Sequence, residues 1–170
     1  MNTAYILTGG NMGGREKYLN QAIKLIRLNV GNVISTSSIY ETAPWGKQDQ
    51  PAFLNQVLIV ETKLLPTELL ASILSIEKKL GRERFEKMGP RTIDIDILFY
   101  NDLILKTPTL VIPHPQIEKR RFVLTPLVEI AEDLKHPVLN QSMKVLLEVC
   151  PDHLPVNKLI YPGNFNKKYK

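Results

Sequence analysis

At 170 residues, 44% of them hydrophobic, the chain has the size and apolar share of one globular domain with a proper core. Its single cysteine, Cys150, excludes an internal disulfide framework and fits a reducing, cytoplasmic setting. The net charge of +5 invites a nucleic-acid partner, but residues 153 to 170 hold Lys158, Lys167, Lys168 and Lys170 and no acid, while the first 152 hold 18 basic and 17 acidic groups. The body is therefore nearly neutral, and the basic, Asn-rich end reads as a frayed, solvated tail. No segment approaches a membrane span, and "MNTAYILTGG" lacks the charged start and apolar length of a signal peptide.

"AYILTG" (4–9) reads as a short apolar strand closed by Gly9-Gly10. Residues 14 to 29 place Leu19, Ala22, Ile23 and Ile26 at helical spacing. "VISTSSIYET" (33–42) is a strand, and "APWGKQDQP" (43–51) is a Pro- and Gly-bearing loop long enough to carry function. "AFLNQVLIVETKL" (52–64) is another strand. Pro66 opens a helix bearing Leu69, Ile73, Ile76 and Leu80, which Gly81 closes. A charged loop over 82–90 leads into "RTIDIDILFY" (91–100), whose β-branched and aromatic residues predict a strand. The order β-α-β-β-α-β predicts an α+β, ferredoxin-like core: an antiparallel sheet with two helices on one face. "VIPHPQIEKRRF" (111–122) is a Pro-punctuated loop, with short helices expected near 125–134 and 142–149.

Strand alternation assigns Ile93, Ile95, Ile97 and Phe99 to the helix-covered face, and Thr92, Asp94, Asp96, Leu98 and Tyr100 to the open one. The two aspartates then stand side by side, about 7 Å apart at their Cα atoms, and need compensation. Lys78, Lys79, Arg82, Arg84, Lys87 and Arg91 form the one basic concentration in the body and run straight into that strand. Paired carboxylates beside arginines suit a hard cation that shares its shell with substrate phosphates. Alone, D-x-D marks a solvated sheet face more often than a site, and a basic loop is usually only solvated. Joined by "GPR", they favour a phosphate–metal site.

"GPRTIDIDIL" resembles the motif of the 6-hydroxymethyl-7,8-dihydropterin pyrophosphokinase family. The resemblance continues in "ILTGGNMG", "YETAPWGKQDQPAFLNQV" and "VIPHP....RRF", in order over roughly residues 4 to 149. It implies a folate-pathway transferase, monomeric and cytoplasmic, that moves the pyrophosphoryl group of ATP to the pterin hydroxymethyl group and releases AMP. It implies a single domain over 1–159, followed by a flexible basic tail over 160–170.

The resemblance further implies that Asp94 and Asp96 hold two Mg²⁺ ions with ATP. Arg82 and Arg91 would clamp the phosphates, helped by Arg84 and Lys87. Glu77, His114 and Arg120 would belong to the nucleotide side, with backbone groups near Ile97 meeting the adenine. Phe53 and Phe122 would sandwich the pterin, Asn55 would read its polar edge, and backbone groups of Thr42, Ala43 and Trp45 would complete that edge. Familiar members differ in places: G-S-N where this chain has Gly9-Gly10-Asn11, tryptophan at Met88, arginine at Lys87, and arginine and threonine at Thr109 and Val111. Two other classes share elements of the pattern. RNA-binding modules use the same strand order but need exposed aromatics on the central strands. Nucleotidyltransferases combine a Gly-rich turn with D-x-D, but close together in sequence.

Overall fold

A computed structural model of the chain describes residues 1–83 and 87–160. In chain order the elements are β1 (Asn2–Gly10), α1 (Arg15–Asn29), β2 (Gly31–Thr36), β3 (Tyr40–Thr42), β4 (Phe53–Thr62), α2 (Pro66–Lys79) and β5 (Asp94–Tyr100). There follow β6 (Leu105–Lys106), β7 (Val111–Ile112), a 3₁₀ turn at Ile117–Lys119, α3 (Arg121–Ala131), α4 (Met143–Glu148) and β8 (Val156–Lys158). The sheet order is β5-β1-β4-β3-β8, with β2 pairing the other half of β4. β1 runs antiparallel to both β4 and β5. This is the expected α+β topology.

The expected strand over 33–42 is two strands. Between them Ser37 is buried; its hydroxyl accepts the Val57 N–H at 2.9 Å and donates to the Ser38 carbonyl at 2.7 Å. A side chain that satisfies the partner strand's backbone breaks the ladder, so β3 restarts beside Phe53–Asn55. α2 begins with Pro66 at its first position, and Glu68 accepts the Leu65 N–H at 2.7 Å. α3 starts at Arg121, ahead of the expected position, and carries Pro126 inside it.

Leu19, Ala22 and Ile26 of α1 and Leu69, Ile73 and Ile76 of α2 pack on a sheet face formed by Ala4, Ile6, Leu58, Val60, Ile93, Ile95 and Ile97. Fully burying each large side chain contributes about 1.5–3 kcal/mol. One assignment on β5 is corrected. The register slips between Tyr5 and Ile6, opposite Phe99 and Ile97, so Leu98 is bulged. Past the bulge the faces swap: Phe99 joins Leu98 on the second face, and Tyr100 joins the helix-covered core.

That second face is not open along its whole length. Leu7, Val57, Leu98 and Phe99 are covered there by Val123, Leu124 and Leu127 of α3 and Met143 and Leu146 of α4. Among the described residues the end carrying Asp94 and Asp96 is left uncovered by these helices. The solvated character read into the basic end from residue 153 holds only in part, and the tail expected over 160–170 lies, from 161 on, outside the described residues. Residues 156–158 form β8, antiparallel to β3, and Lys158 lies 3.8 Å from Glu129. β8 pairs with β3 through Tyr40–Lys158, Glu41–Asn157 and Thr42–Val156, so this stretch of the basic end is part of the sheet. Lys167, Lys168 and Lys170 lie outside the described residues. Among the described residues no helix is long and apolar enough to cross a membrane.

Candidate active site

A cavity of about 290 Å³ opens at the uncovered end of the sheet. Asp94, Asp96, Arg82, Lys87, Arg91, His114, Arg120, Thr42, Ala43, Trp45, Phe53, Asn55 and Phe122 all line it. The strand alternation places both aspartates there because the bulge falls after them. Three expected positions stand elsewhere. Arg84 lies outside the described residues. Ile97 is buried in the helix-side core, so only its backbone can meet a ligand. It does lie on the edge strand, between Ile95, whose N–H is taken by Glu77 at 2.8 Å, and Leu98, whose carbonyl takes the His114 N–H at 2.9 Å.

Glu77, expected on the nucleotide side, does not line the cavity, and among the described residues its bonds are those of a support. It sits on the buried face of α2, and its Oε1 accepts from Arg82 Nη1 at 2.5 Å and from the Ile95 N–H. It thus fastens the first loop arginine to the strand that carries the aspartates. Arg82 Nη1 also reaches Asp94 Oδ1 at 2.7 Å, and Arg91 Nη1 reaches Asp94 Oδ2 at 3.0 Å. Asp94 is therefore neutralised from both sides. Asp96 is not: burial, then the Asp94 and Glu77 carboxylates, push it up to about 7, against the pull of Arg120 and Arg82. Burial also raises the Glu77 carboxyl, opposed by the Ile95 N–H and Arg82.

This donor set fits a hard divalent cation. Asp96 is buried beside the Asp94 carboxylate, so an added positive charge there would favour its ionised form, and the Arg82 Nε is buried without a hydrogen-bond partner. Among the described residues no three His, Cys, Asp or Glu side chains gather as a closed metal cage. Two carboxylates leave the rest of an octahedral shell to water and phosphate oxygens, the usual arrangement for Mg²⁺.

The other wall is aromatic. The Arg91 guanidinium lies 5.3 Å from the Phe53 ring centre, and that of Arg120 lies 4.6 Å from Trp45 and 5.7 Å from Phe122. Cations thus cover the ring faces on which a flat heterocycle would stack. Asn55 is buried, and its Nδ2 donates to the Thr42 hydroxyl at 2.8 Å, which fixes the amide's orientation. Its Oδ1 lies where a Cβ on Gly9 would stand, 2.1 Å away, so only glycine at 9 leaves room for it. The Ala43 N–H is committed elsewhere: it donates to the Pro155 carbonyl at 3.1 Å, so this group of the expected polar edge faces the C-terminal segment.

His114 is held neutral. Burial, then Arg120, lower it to about 4. Its Nδ1 accepts the Gln116 N–H at 3.2 Å, which places the proton on Nε2 as a donor.

Two residues that the sequence reasoning did not assign organise the rim. Asn11, just past β1, makes two hydrogen bonds to the Arg91 backbone: its N–H donates to the Arg91 carbonyl, and its side-chain Oδ1 accepts the Arg91 N–H, both at 3.0 Å. Its Nδ2 donates to Gln50 Oε1 at 3.0 Å, and Gln50 Nε2 donates to the Met88 carbonyl at 2.9 Å. Gln50 therefore joins the loop after β3 to the loop before β5. Both lie inside the motifs "ILTGGNMG" and "APWGKQDQP", but their meeting is a tertiary event.

An antiparallel α+β layer with paired carboxylates, arginines and aromatic rings around one cavity defines a small phosphate-handling transferase for a flat-ringed substrate. Residues 5–132 match the family model described as 7,8-dihydro-6-hydroxymethylpterin-pyrophosphokinase (HPPK), and the chain belongs to that family. It is 42% identical over 144 residues to the 2-amino-4-hydroxy-6-hydroxymethyldihydropteridine pyrophosphokinase of Aquifex aeolicus, covering 85% of this chain and 89% of that one. It is 46% identical over 135 residues to the Bacillus subtilis protein of the same name, covering 79% and 81%. A folic acid synthesis protein of Pneumocystis carinii is 43% identical over 159 residues; these cover 92% of this chain but only 22% of that protein. The fold is similar to a crystal structure of Plasmodium falciparum HPPK-DHPS, with a TM-score of 0.70 at 21% identity over 87% of this chain and 43% of that one.

Proposed function

We propose that this chain transfers the pyrophosphoryl group of ATP to the hydroxymethyl group of 6-hydroxymethyl-7,8-dihydropterin and releases AMP. Membership of the family makes it a pyrophosphokinase of folate biosynthesis; ATP as donor, Mg²⁺ dependence and the residue roles are our reading. The observation that carries it is the meeting, in one cavity, of Asp94 and Asp96 with Arg82 and Arg91 on one side and Phe53, Phe122 and Asn55 on the other.

Asp94 and Asp96 would hold the Mg²⁺ that arrives with ATP. When bound, that metal supplies charge neutralisation to the phosphates and to the leaving AMP oxygen. The chain's own residues do the rest. Arg82 and Arg91, now paired with Asp94, would turn to the phosphate oxygens of the bound nucleotide. His114, neutral and protonated at Nε2, donates without adding charge. Phe53 and Phe122 stack the pterin, and the oriented Asn55 amide reads its polar edge. That positions the hydroxymethyl oxygen for in-line attack on the β-phosphorus. The present cavity is at the small end for even one drug-sized ligand, so the arginines over the rings must move outward as the substrates enter.

The RNA-binding alternative loses its surface. The sheet face it needs carries aspartates at one end and is covered by α3 and α4 at the other. One assay tests the reading: protein, Mg-ATP and 6-hydroxymethyl-7,8-dihydropterin, followed by nucleotide analysis. AMP in step with the pterin diphosphate is expected. Formation of ADP overturns pyrophosphoryl transfer.

A further inference from the structure

We infer that residues 152–158 are a strap that positions the pterin-side wall, and that Asp152 is its positioning residue for the proposed reaction. This inference rests on the pterin reading above. None of these residues lines the cavity, and they lie beyond the 5–132 span matched to the family.

Each end of the strap holds a different wall. At one end Asp152 Oδ2 accepts the Arg121 N–H at 3.0 Å, and the Asp152 carbonyl accepts the Arg121 Nε–H at 2.7 Å. Asp152 Oδ1 accepts the Leu154 N–H at 2.9 Å, which fixes the turn that follows. Arg121 is the first residue of α3, an 11-residue helix, so a carboxylate there meets an otherwise unpartnered N–H and the positive end of the helix. Its two chain neighbours are Arg120 and Phe122, the cation and the ring of the cavity's far side. At the other end the Pro155 carbonyl accepts the Ala43 N–H, and Val156 pairs with Thr42. Thr42 in turn orients Asn55.

The strap therefore spans the gap between the stacking wall and the wall that reads the ring's edge. α3 already packs on Val57 of β4, and its Glu129 accepts hydrogen bonds from Ser38; with both its backbone ends held, the strap adds a second tie, at the cavity end of α3, to the separation of Phe122 from Asn55. A flat ligand gripped between them loses affinity when the separation drifts. The nucleotide side, built on β5 and the loop before it, has no contact with the strap in these bonds.

The test compares Asp152→Ala with Asp152→Asn. Asparagine keeps one acceptor oxygen, for the Arg121 N–H, and gives up the bond from the Leu154 N–H, whereas alanine removes both. Binding of 6-hydroxymethylpterin is measured in the presence of a non-hydrolysable Mg-ATP analogue, binding of the analogue alone is measured separately, and Trp45 emission is read without ligand. For Asp152→Ala, pterin affinity should fall tenfold or more, the pterin KM should rise with little change in kcat, and analogue affinity should fall by a clearly smaller factor, because only Arg120 of the nucleotide side adjoins the strap's contact at Arg121. Asp152→Asn should restore pterin affinity to within threefold of wild type. Trp45 emission should shift in the alanine variant, because the Arg120 guanidinium over its ring is displaced.

A folded Asp152→Ala protein with unchanged pterin affinity overturns the inference, and so does an equal loss for pterin and analogue. If wild type binds no pterin, the functional reading fails instead. The unliganded Trp45 emission then decides whether the strap positions this wall, and an unshifted spectrum overturns it. Should Asp152→Ala not fold, Arg121→Gln, which deletes the Nε–H bond to the Asp152 carbonyl from the other partner, is read in the same way.

Discussion

The Arg82 guanidinium stands 2.7 Å from Asp94, on a carboxylate oxygen that a metal ion would need. The same Nη1 is 2.5 Å from Glu77, and the side chains of Arg82 and Glu77 are only 11% and 5% exposed. A cation held at Asp94, as proposed, would compete with the arginine there, and nucleotide phosphates would compete for the arginine. Metal binding and phosphate clamping would then be linked through one side chain.

Replacing Arg82 should accordingly have effects of opposite sign. Arg82→Ala should tighten Mn²⁺ binding in the absence of nucleotide, because Asp94 loses a competing partner. The same change should lower turnover by about 10²–10³-fold, through lost stabilisation of transferring phosphate. Stability should fall by roughly 3–5 kcal/mol, since the buried Glu77 is left unpaired. Metal titration followed by electron paramagnetic resonance, with initial rates per folded molecule, measures the first two. Weaker Mn²⁺ binding by the variant would remove the competition.

A crossed pair on β5 separates function from folding. Asp96→Asn should cost about 10²–10³-fold in rate by removing charge at the proposed metal position. Its stability relative to wild type should improve as pH rises. The Asp96 carboxyl is raised above its unfolded value, to about 7, so its contribution is fully present below about 4 and is lost as pH rises through about 7. Ile95→Asn puts an amide in the helix-side core and should cost several kcal/mol, about 2–5, while the folded fraction still binds metal. Denaturant unfolding of both variants without metal, at acidic and alkaline pH, is the measurement. An Asp96→Asn protein with normal turnover and lowered stability would make the carboxylates structural.

Gln50→Ala should disconnect the two rim loops. Hydrogen exchange of residues 43–51 and 87–91 without ligand should quicken in both loops together, since Gln50 is bonded to the Met88 carbonyl and to Asn11. In wild type, a Mg-ATP analogue with pterin should slow exchange in the same two segments. Exchange that changes in one loop alone would show that the link carries no coupling.

His114 sets an acid limit with the opposite sign to Asp96. Its folded value is lowered from 6.5 to about 4, so its stabilising contribution is present above about 6.5 and is lost as pH falls toward 4. His114→Gln cannot charge. Between pH 7 and pH 5 it should lose less stability than wild type, as read by urea unfolding. Equal losses would place the imidazole in water.

The sequence determined the parts and their order. Periodicity placed α1, α2 and the β-α-β-β-α-β succession, because one-sided burial leaves a period that is local and readable. Alternation alone set Asp94 and Asp96 on one face and Ile93, Ile95 and Ile97 on the other, and the spaced motifs carried the family. What escaped depends on partners distant in the chain. The bulge that turns Phe99 away from Ile97 arises from pairing with β1, and the break at Ser37 from a hydroxyl that serves Val57. That Glu77 anchors Arg82 to β5 is visible only once α2 has packed on that strand. Residues 156–158 looked like a solvated tail because three polar-flanked residues carry almost no periodic signal; only the free edge of β3 makes them a strand. Composition and spacing report what a segment prefers alone. Register, edges and the meeting of Asn11 with Gln50 are decided by which surfaces are left to pair once the core has closed.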